Sequence, residues 1–300
     1  METLDSLKKQ LSTSKGIKQV VTTMKALAGA NIKRYEKATH AIYMYRKNIE
    51  LGLRGVLSKD FSITHKYDND KECEKYIIVA IGSNQGLCGR FNDKIIEFLV
   101  DDLKKQNLKK EDVLVYTVGD RLAMLVENKD IKPIFHLSVP NAIESIADSV
   151  YLLLSKLDNI KDKYKKYKIL LYHTKHESSS NGVAVKTQLL PINPEIFESI
   201  KEKSWPTKEL PFWRIDGGEL LKDLIKQYLF TTLYYTFSTS ITSEQMNRLM
   251  TLQNAENNIN DMIENTKLKY NQQRQMQITS QLLDVVSGAQ VAKNKKKKKS

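Results

Sequence analysis

Apolar residues recur in alternating steps of three and four along residues 3–57. Their mean spacing is about 3.5 residues, which is the period of a coiled-coil seam. The seam positions are Leu4, Leu7, Leu11, Ser14, Ile17, Val21, Met24, Ala28, Ile32, Tyr35, Ala38, Ile42, Tyr45, Ile49, Leu53 and Val56. The residues between them are mostly Lys, Arg, Glu, Gln and Thr. The pattern therefore predicts one amphipathic helix, roughly 80 Å long at 1.5 Å per residue.

A weaker stripe of the same period follows the C-terminal part of the chain. Residues 219–287 contain neither proline nor glycine, whereas all six prolines lie between Pro133 and Pro211. The stripe consists of Leu221, Leu224, Tyr228, Tyr235, Leu249, Leu252, Ile259, Met262, Tyr270, Ile278, Leu282 and Val285. Two long helices with one stripe each can bury those stripes against each other, so the pattern favours an antiparallel coiled coil. The alternative is two helices wrapped on a globular core.

The middle of the chain alternates short β-branched runs with amphipathic segments. Strands are predicted at 75–81, 112–118, 131–137, 167–174 and 182–190, and helices at 92–106, 119–128 and 141–163. Strands that alternate with helices indicate a mostly parallel sheet with helical crossovers. The last two strands have no helix between them, so we expect an antiparallel edge.

Together these patterns predict an α+α/β fold, in which a long antiparallel coiled coil of N- and C-terminal helices carries an inserted, Rossmann-like α/β domain. The predicted boundaries are 1–58 for the first helix, 72–195 for the inserted domain, 196–216 for a connection, 217–288 for the last helix and 291–300 for a disordered tail.

The charge of the chain narrows the choice of partners. The formal net charge is +13, and six of the positive charges lie in the tail, at Lys293 and Lys295–Lys299. A run of lysines repels itself, so a solvated tail is favoured over a nucleic-acid or localisation signal. The remaining chain is still basic and favours an acidic partner. We expect no nucleic-acid partner.

Membrane and export signals are not expected. No stretch approaches the ~18 consecutive apolar residues of a membrane-spanning helix. The start, METLDSLKKQ, lacks the apolar core of a signal peptide. Two cysteines, Cys73 and Cys88, make no disulfide framework, which agrees with a reducing compartment.

The most enzyme-like stretch is IGSNQGLCGRFND, residues 81–93. It follows a predicted strand and precedes a predicted helix, where a phosphate-binding loop would lie. The Walker spacing and the dinucleotide-binding glycine pattern are both absent. We therefore interpret Gly86, Leu87, Cys88 and Gly89 as a tight structural turn. Cys88 has no histidine close in sequence and is not expected to be a nucleophile.

Other candidate chemistry is weak. His173 and His176 form a His-x-x-His pair at a strand end without identifiable further ligands, so no metal site is expected. The hydrolase, calcium-loop and metalloprotease motifs are absent. We predict no catalytic residue and no cofactor. The long helices carry polar faces with scattered cations, a pattern that usually indicates a solvated surface. Such faces also suit a partner that slides or turns on them.

Three separated motifs give the chain a family resemblance. TMKALA near the start, SNQGLCGRFND in the middle and SEQMNRLMTLQNAENN with LKYNQQRQMQITSQLLDVVSGA near the end resemble the gamma subunits of F-type ATP synthases. The resemblance covers residues 1–290. METLDSLKKQ, ELGLRGVL, LPFWR and QLLDVVSGA are most similar to the alternate, N-type branch, which is often linked to sodium.

The resemblance implies a rotor that hydrolyses nothing itself. The implied partners are the alpha and beta subunits of the catalytic ring, the epsilon subunit and the proteolipid c-ring, with contact to the membrane only through them. The implied location is peripheral, on the cytoplasmic face of a bacterial inner membrane. The implied function is to couple rotation to ATP synthesis or hydrolysis and to ion translocation.

The resemblance also implies positions that contact the catalytic ring. Met24 and Lys25 match a Met-Lys pair that faces an acidic loop of the catalytic subunit. Arg248, Gln275 and Thr279 match C-terminal contact positions, and Arg274 adjoins them. The lysine tail departs from the usual ending of the family. Two alternatives stay open: a gamma-like force-transmitting subunit of a motor without a proteolipid ring, and a nucleotide-binding enzyme built on the sheet.

Overall fold

The computed structural model describes residues 3–58, 74–160, 163–177, 180–202, 205–206, 208–209 and 211–297. Cys73 and the last three residues of the predicted tail lie outside this range. The helices are α1 Leu4–Leu57, α2 Phe91–Lys105, α3 Asp120–Glu127, α4 Glu144–Asp158, α5 Pro194–Glu202 and α6 Gly217–Lys297. The strands are β1 Lys75–Ile81, β2 Val113–Val118, β3 Phe135–Leu137, β4 Tyr167–Glu177 and β5 Ser180–Leu190.

The five strands form one mixed sheet in the order β3-β2-β1-β4-β5. β1 pairs in parallel with β2 and with β4, and β2 pairs in parallel with β3. β4 and β5 are antiparallel. The predicted mostly parallel sheet with an antiparallel edge is therefore confirmed, and helical ends enclose it in the sequence as predicted.

Both faces of the sheet are buried. Alternate residues of β1 enter two separate clusters: Ile77 and Val79 pack with residues of α4 and α6, whereas Ile78 and Ala80 pack with α2 and α3. This explains why KYIIVAI is apolar at successive positions, since both sides of a central parallel strand are covered.

The part of α6 that is buried against the sheet is rich in small polar residues. Thr232, Thr236 and Thr242 each donate a hydroxyl hydrogen bond of 2.8 Å to the carbonyl four residues earlier. Such self-satisfied side chains can be buried at little polar cost and allow close packing of the backbone.

The chain divides into two compact units, and the boundary cuts both long helices. One unit comprises Met1–Leu27 with Met250–Ser300, and the other comprises Ala28–Leu249. The part of α1 after Leu27 and the part of α6 before Met250 thus belong to the same unit as the sheet. The predicted boundaries instead separate both helices from the sheet. In the unit Ala28–Leu249, Arg46 of α1 donates a hydrogen bond of 2.9 Å to the hydroxyl of Tyr228 of α6.

In the unit formed by Met1–Leu27 and Met250–Ser300, α1 and α6 are antiparallel. The Oγ of Ser14 lies 3.7 Å from the Sδ of Met262, and the Oγ1 of Thr22 donates to Glu256 at 2.8 Å. Residue numbers rise along one helix as they fall along the other, as the predicted coiled coil requires.

Buried positions recur every seven residues along α1, and two predicted seam residues are wrong. The series is Leu7, Ser14, Val21, Ala28, Tyr35, Ile42, Ile49 and Val56, each at most 9% exposed; Ile32, Leu53 and Leu57 are buried beside it. Ile17 is 50% exposed and Tyr45 is 43% exposed, while their neighbours Lys18 and Arg46 are partly buried. The long stems of lysine and arginine can cover apolar surface while the charged end reaches solvent, so the heptad continues through cations.

The predicted seam of α6 fails toward its end. Met262 is 50% exposed, and Ile278, Leu282 and Val285 are 47%, 61% and 69% exposed. Residues 274–289 are exposed on every side.

Several element boundaries differ from the predictions. α5 begins inside the predicted inserted domain and ends within the predicted connection, and β3 begins at Phe135 rather than at residue 131. The hairpin of β4 and β5 continues past the predicted strand ends. α6 ends at Lys297 rather than at residue 288, so it includes residues 291–297, which the sequence pattern assigns to a disordered tail.

Candidate functional site

The turn Gly86–Gly89 connects β1 to α2, as predicted. Leu87 and Gly89 have positive φ angles of 61° and 59°, which close the turn. Cys88 is 1% exposed, and its thiol lies 3.7 Å from the hydroxyl of Ser83 and from the carbonyl of Gln85. Burial raises the pKa of Cys88, which opposes formation of a reactive thiolate.

The start of this loop is fixed by Asn92, the second residue of α2. Its Oδ1 accepts a hydrogen bond of 3.0 Å from the Ser83 amide, and its Nδ2 donates to the Ser83 hydroxyl at 2.8 Å. A Cβ on Gly82 would lie 2.5 Å from the Asn92 Oδ1 and 2.5 Å from the Leu122 Cβ. The loop therefore depends on a close approach of backbone to α2 and α3.

The place where a doubly wound sheet binds a nucleotide is taken by α6. Such ligands bind beyond the carboxyl ends of the strands where the strand order reverses, which here lies between β1 and β4. Ser240 of α6 donates to the carbonyl of Ile81, the last residue of β1, at 3.3 Å. Arg248 of α6 donates to the carbonyl of Gly86 at 3.4 Å. This arrangement disfavours a nucleotide at the turn.

Arg248 lies inside the unit Ala28–Leu249. The residue is 8% exposed, and its Nη1 lies 2.7 Å from the Glu244 carboxylate. Burial raises the pKa of Glu244, and the Arg248 charge opposes that rise. The Nε of Arg248 is buried without a hydrogen-bond partner. The structure thus favours an internal role for Arg248, and its predicted contact with a catalytic ring stays a prediction.

Met24 and Lys25 lie on the other unit, on α1. Both are partly buried. The Lys25 ammonium pairs with the Glu256 carboxylate and donates to the Gln253 side chain at 3.1 Å. Hydrogen bonds from Lys25 and Thr22 lower the pKa of Glu256. Any acidic partner of Lys25 therefore competes with the Glu256 carboxylate of this chain. The pairing of Lys25 with Glu256 was not predicted from the sequence.

Arg274, Gln275 and Thr279 are exposed on α6 of the same unit. Gln275 and Thr279 are one helical turn apart, and the Thr279 hydroxyl donates to the Gln275 carbonyl at 2.9 Å. Gln275 and Thr279 therefore share a face of the helix, and Arg274 lies about 100° around the helix from Gln275. They lie farther along α6 than Gln253 and Glu256, the two residues of that helix that pair with Lys25.

The same unit carries two sets of exposed apolar residues that the seam prediction did not foresee. The set on α1 includes Ile17, Val20 and Leu27, each at least half exposed. On the last turns of α6 the exposed apolar residues are Met276, Ile278, Leu282, Leu283, Val285 and Val286. Clustered apolar residues that remain exposed mark surfaces for a partner.

Two features of the described residues bear on alternative functions. None of their helices is long and apolar enough to cross a membrane. His173 and His176 gather no third metal-ligating side chain, since no group of three His, Cys, Asp or Glu with suitable placement occurs in the described part of the chain.

Comparison of the sequence with known proteins identifies its family. The family described as ATP synthase matches residues 3–291. The ATP synthase gamma chain of Azobacteroides pseudotrichonymphae is 26% identical, over 98% of this chain and 100% of that protein. The ATP synthase gamma chain of Phocaeicola vulgatus is 28% identical, over 96% of this chain and 99% of that protein.

Solved structures share the fold. A chain in the Euglena gracilis mitochondrial ATP synthase, in the part described as OSCP/F1/c-ring, matches with a TM-score of 0.60 at 14% identity. The match covers 96% of this chain and 94% of that chain. A chain of the rotor of the same organism's enzyme matches with a TM-score of 0.58 at 15% identity, over 92% of this chain and 98% of that chain.

Proposed function

The chain belongs to the family of F-type ATP synthase gamma subunits, and from that premise we propose that its long helices couple the turnover of a catalytic ring to ion translocation. It is a non-catalytic subunit of the central stalk, the rotor of the complex. The observation that carries the proposal is the exposed helical surface of the unit Met1–Leu27 and Met250–Ser300.

The contacts with the alpha and beta subunits involve two surfaces of that unit. Met24 and Lys25 face an acidic loop of the catalytic subunit, and Arg274, Gln275 and Thr279 meet the ring farther along α6. The second surface is polar and exposed, which suits a contact that forms and breaks as the rotor turns. A rotor that meets each surrounding site differently changes the population of conformations at each site, and rotation steps through them.

The exposed apolar end of α6 is suited to an apolar surface inside the ring of alpha and beta subunits. Leu282, Leu283, Val285 and Val286 are 52–69% exposed, and burial in a partner contributes about 25 cal/mol for each Å² of apolar surface. The lysines that follow in sequence need an exit or a polar lining beyond this surface.

The remaining partners are the epsilon subunit and the proteolipid c-ring, which contact the unit Ala28–Leu249. Through them the chain is peripheral to the cytoplasmic face of a bacterial inner membrane. Support for a bacterial setting comes from the bacterial relatives, which match over nearly their full length.

The N-type, sodium-linked branch is the finer placement that we propose. It rests on the resemblance of METLDSLKKQ, ELGLRGVL, LPFWR and QLLDVVSGA to that branch. The ion ligands belong to other subunits, so the test is made on the complex. Sodium-stimulated ATP hydrolysis supports the placement, and proton pumping that is indifferent to sodium contradicts it.

The function is tested by reconstitution with and without this chain. We expect the chain to copurify with nucleotide-binding subunits and a proteolipid ring, as identified by mass spectrometry. A chain shortened after Gln273, where the exposed part of α6 begins, should assemble but lose ATP-driven ion pumping. A force-transmitting subunit of another motor would copurify without the proteolipid ring, and equal pumping by the full and shortened chains would contradict the proposal.

A further inference from the structure

A cavity of about 310 Å³ opens between the end of α2, the start of β2 and the segment that leads from α3 to β3. Its described lining residues all belong to the unit Ala28–Leu249, and they lie outside the Gly86–Gly89 turn and the proposed ring contacts. Ligand pockets in proteins typically have volumes of about 300–1,000 Å³. The cavity is therefore large enough for one small molecule.

The cavity lies where the sheet loses a strand. β3 has only three residues and pairs with Tyr116–Val118. Within the described sheet, the first residues of β2 therefore pair with β1 alone. The chain before β3 stays close to β2, since the Ile134 amide donates to the Val115 carbonyl at 2.8 Å, but it is not a strand. The apolar start of β2 is thus left with an open side.

The walls of the cavity are apolar and accessible. Val100 and Leu103 of α2, Val113 of β2 and Ile131 line it, and all four pack against the buried cluster between the sheet and α2 and α3. Each of them is only partly buried, as is Leu108, which also lines the cavity. Their side chains therefore have surface that a ligand can cover, and the cavity extends an apolar core to the outside of the molecule.

The rim of the cavity is basic. Lys104, Lys129 and Lys132 line it and are exposed, so they lie where the cavity meets solvent. A lysine stem can cover apolar surface while its ammonium group reaches water. Asp130 is the only acidic residue among the described lining residues. Three lysines against one aspartate leave an excess of positive charge at the opening.

An apolar interior with a basic rim suits an anionic amphiphile. A metal cation would meet one carboxylate and three repelling ammonium groups, and a compact oxyanion would leave the apolar walls uncovered. We propose that the cavity binds the single chain of a medium-length fatty acid, with its carboxylate at the rim formed by Lys104, Lys129 and Lys132. The volume lies at the small end of the range for ligand pockets, which favours one chain over the two of a phospholipid.

Isothermal titration calorimetry of the full chain with octanoate and decanoate at pH 8 tests the proposal. Both carboxylates are ionised at that pH. We expect saturable binding of one molecule per chain. Each further buried methylene should tighten binding about fourfold, so decanoate should bind roughly fifteenfold tighter than octanoate. Decanol has the same chain without the charge and should bind about tenfold more weakly than decanoate.

A pair of lysine substitutions tests the rim. Lys129→Gln combined with Lys132→Gln should weaken binding of decanoate about fivefold, because each exposed ion pair contributes a small factor. The same variant should bind decanol as the natural chain does. The matched control combines Lys222→Gln with Lys226→Gln, which removes two exposed lysines of the same unit outside the cavity. That control should leave the affinity for decanoate unchanged.

A substitution in the wall tests the interior. Leu108→Gln places a polar group against the bound chain and should weaken decanoate and decanol alike by about tenfold. The matched control is Leu152→Gln, which changes a leucine of α4 that is 44% exposed and lies outside the cavity. Decanoate should raise the Tm of the natural chain and of Leu152→Gln by the same amount, and that of Leu108→Gln by less.

Absence of saturable binding by decanoate overturns the proposal, as does equal binding of octanoate and decanoate. Decanol that binds as tightly as decanoate would assign the cavity to an uncharged apolar group, such as a side chain of a partner, and would also overturn it. Unchanged binding in the Lys129 and Lys132 variant has the same consequence. These measurements use the chain without other subunits, so they leave the proposed rotor function untouched.

Discussion

The Arg248 guanidinium lies 2.7 Å from the Glu244 carboxylate, one helical turn earlier on α6, and both side chains are buried. Arg248 also donates to the carbonyl of Gly86. The pair therefore joins α6 to the glycine turn after β1. Two motifs that lie more than 150 residues apart in sequence meet at this point.

Arg248→Met should lower the free energy of unfolding by about 3–5 kcal/mol at neutral pH, because it leaves a buried carboxylate without its counter-charge. Chemical unfolding of the full chain measures this. The matched control is Lys226→Met, which removes an exposed cation from the same helix, where the ion-pair side chains are 64% and 60% exposed. That change should stay within about 0.5 kcal/mol.

The loss in Arg248→Met should also depend on pH. The pKa of Glu244 in the folded chain lies above its ordinary value of 4.5, and removal of Arg248 raises it further. Below about pH 4.5 the Glu244 carboxyl is mostly protonated in both the folded and the unfolded chain. As the pH rises above 4.5, Glu244 ionises in the unfolded chain but keeps its proton in the folded variant, so the stability of the variant falls. A loss of equal size at pH 5 and pH 8 would contradict this account of the pair.

Asp102→Asn should destabilise the antiparallel edge of the sheet. The Asp102 carboxylate accepts hydrogen bonds from the Tyr172 hydroxyl at 2.5 Å and from the Lys186 ammonium at 2.8 Å. We expect a loss of about 1–3 kcal/mol at pH 7, typical for hydrogen bonds to a charged group. The control is Asp223→Asn, which breaks an exposed pair with Lys226 and should change little.

The Asp102 contribution should have the opposite pH dependence to that of Glu244. Partial burial would raise the pKa of Asp102, but hydrogen bonds from Lys186 and Tyr172 hold it below its ordinary value of 3.8. The stabilisation is therefore fully present above about pH 4 and is lost as pH falls through the folded value. Natural chain and variant should converge in acid, and a difference that persists there counts against the assignment.

A pair of alanine substitutions tests the packing of the glycine loop. Gly82→Ala should cost about 1–3 kcal/mol, because its new Cβ overlaps Asn92 and Leu122. Gly86→Ala should stay within about 0.5 kcal/mol, because no heavy atom lies within 4 Å of the position of its Cβ. Thermal unfolding of both variants decides the point, and equal shifts in Tm would refute the close approach.

Glu256→Gln tests whether Lys25 is shared with a partner. The Lys25 ammonium pairs with Glu256 in this chain, so removal of that carboxylate leaves Lys25 free for an acidic loop. In the reconstituted complex we expect slower ATP turnover by about threefold, the scale of one surface ion pair. Lys25→Gln should change turnover in the opposite direction. Identical turnover in all three complexes, with assembly unchanged, excludes a role for this pair in the moving contact.

The sequence pattern predicted those elements whose burial repeats regularly. β1 was predicted at its observed bounds because every residue of KYIIVAI is apolar or lies at its start. The heptad of α1 was also visible, but choosing apolar residues put Ile17 and Tyr45 in the seam. Apolar character alone misses positions such as Arg46, whose guanidinium lies 5.0 Å from the centre of the Tyr228 ring.

The internal partners of the candidate site were not predictable from spacing. Arg248 resembles a surface contact in sequence, yet Glu244 and the Gly86 carbonyl hold it inside. In the segment 231–248 the apolar stripe is narrow, with Leu233, Phe237 and Ile241 four residues apart. Several polar residues beside it are buried too, since Thr232, Thr236 and Thr242 satisfy their hydroxyls on the helix backbone. The exposed end of α6 was not predictable from its apolar stripe, because a stripe drawn on one helix does not show which part of it another helix covers.

The central claim is that this chain turns inside a catalytic ring, and a single-molecule rotation assay tests it most directly. The assembled complex is fixed to a surface through its catalytic ring, and a bead is attached to the unit Ala28–Leu249. The account predicts ATP-driven rotation of the bead in one direction. A bead that stays still while the immobilised complex hydrolyses ATP would contradict it.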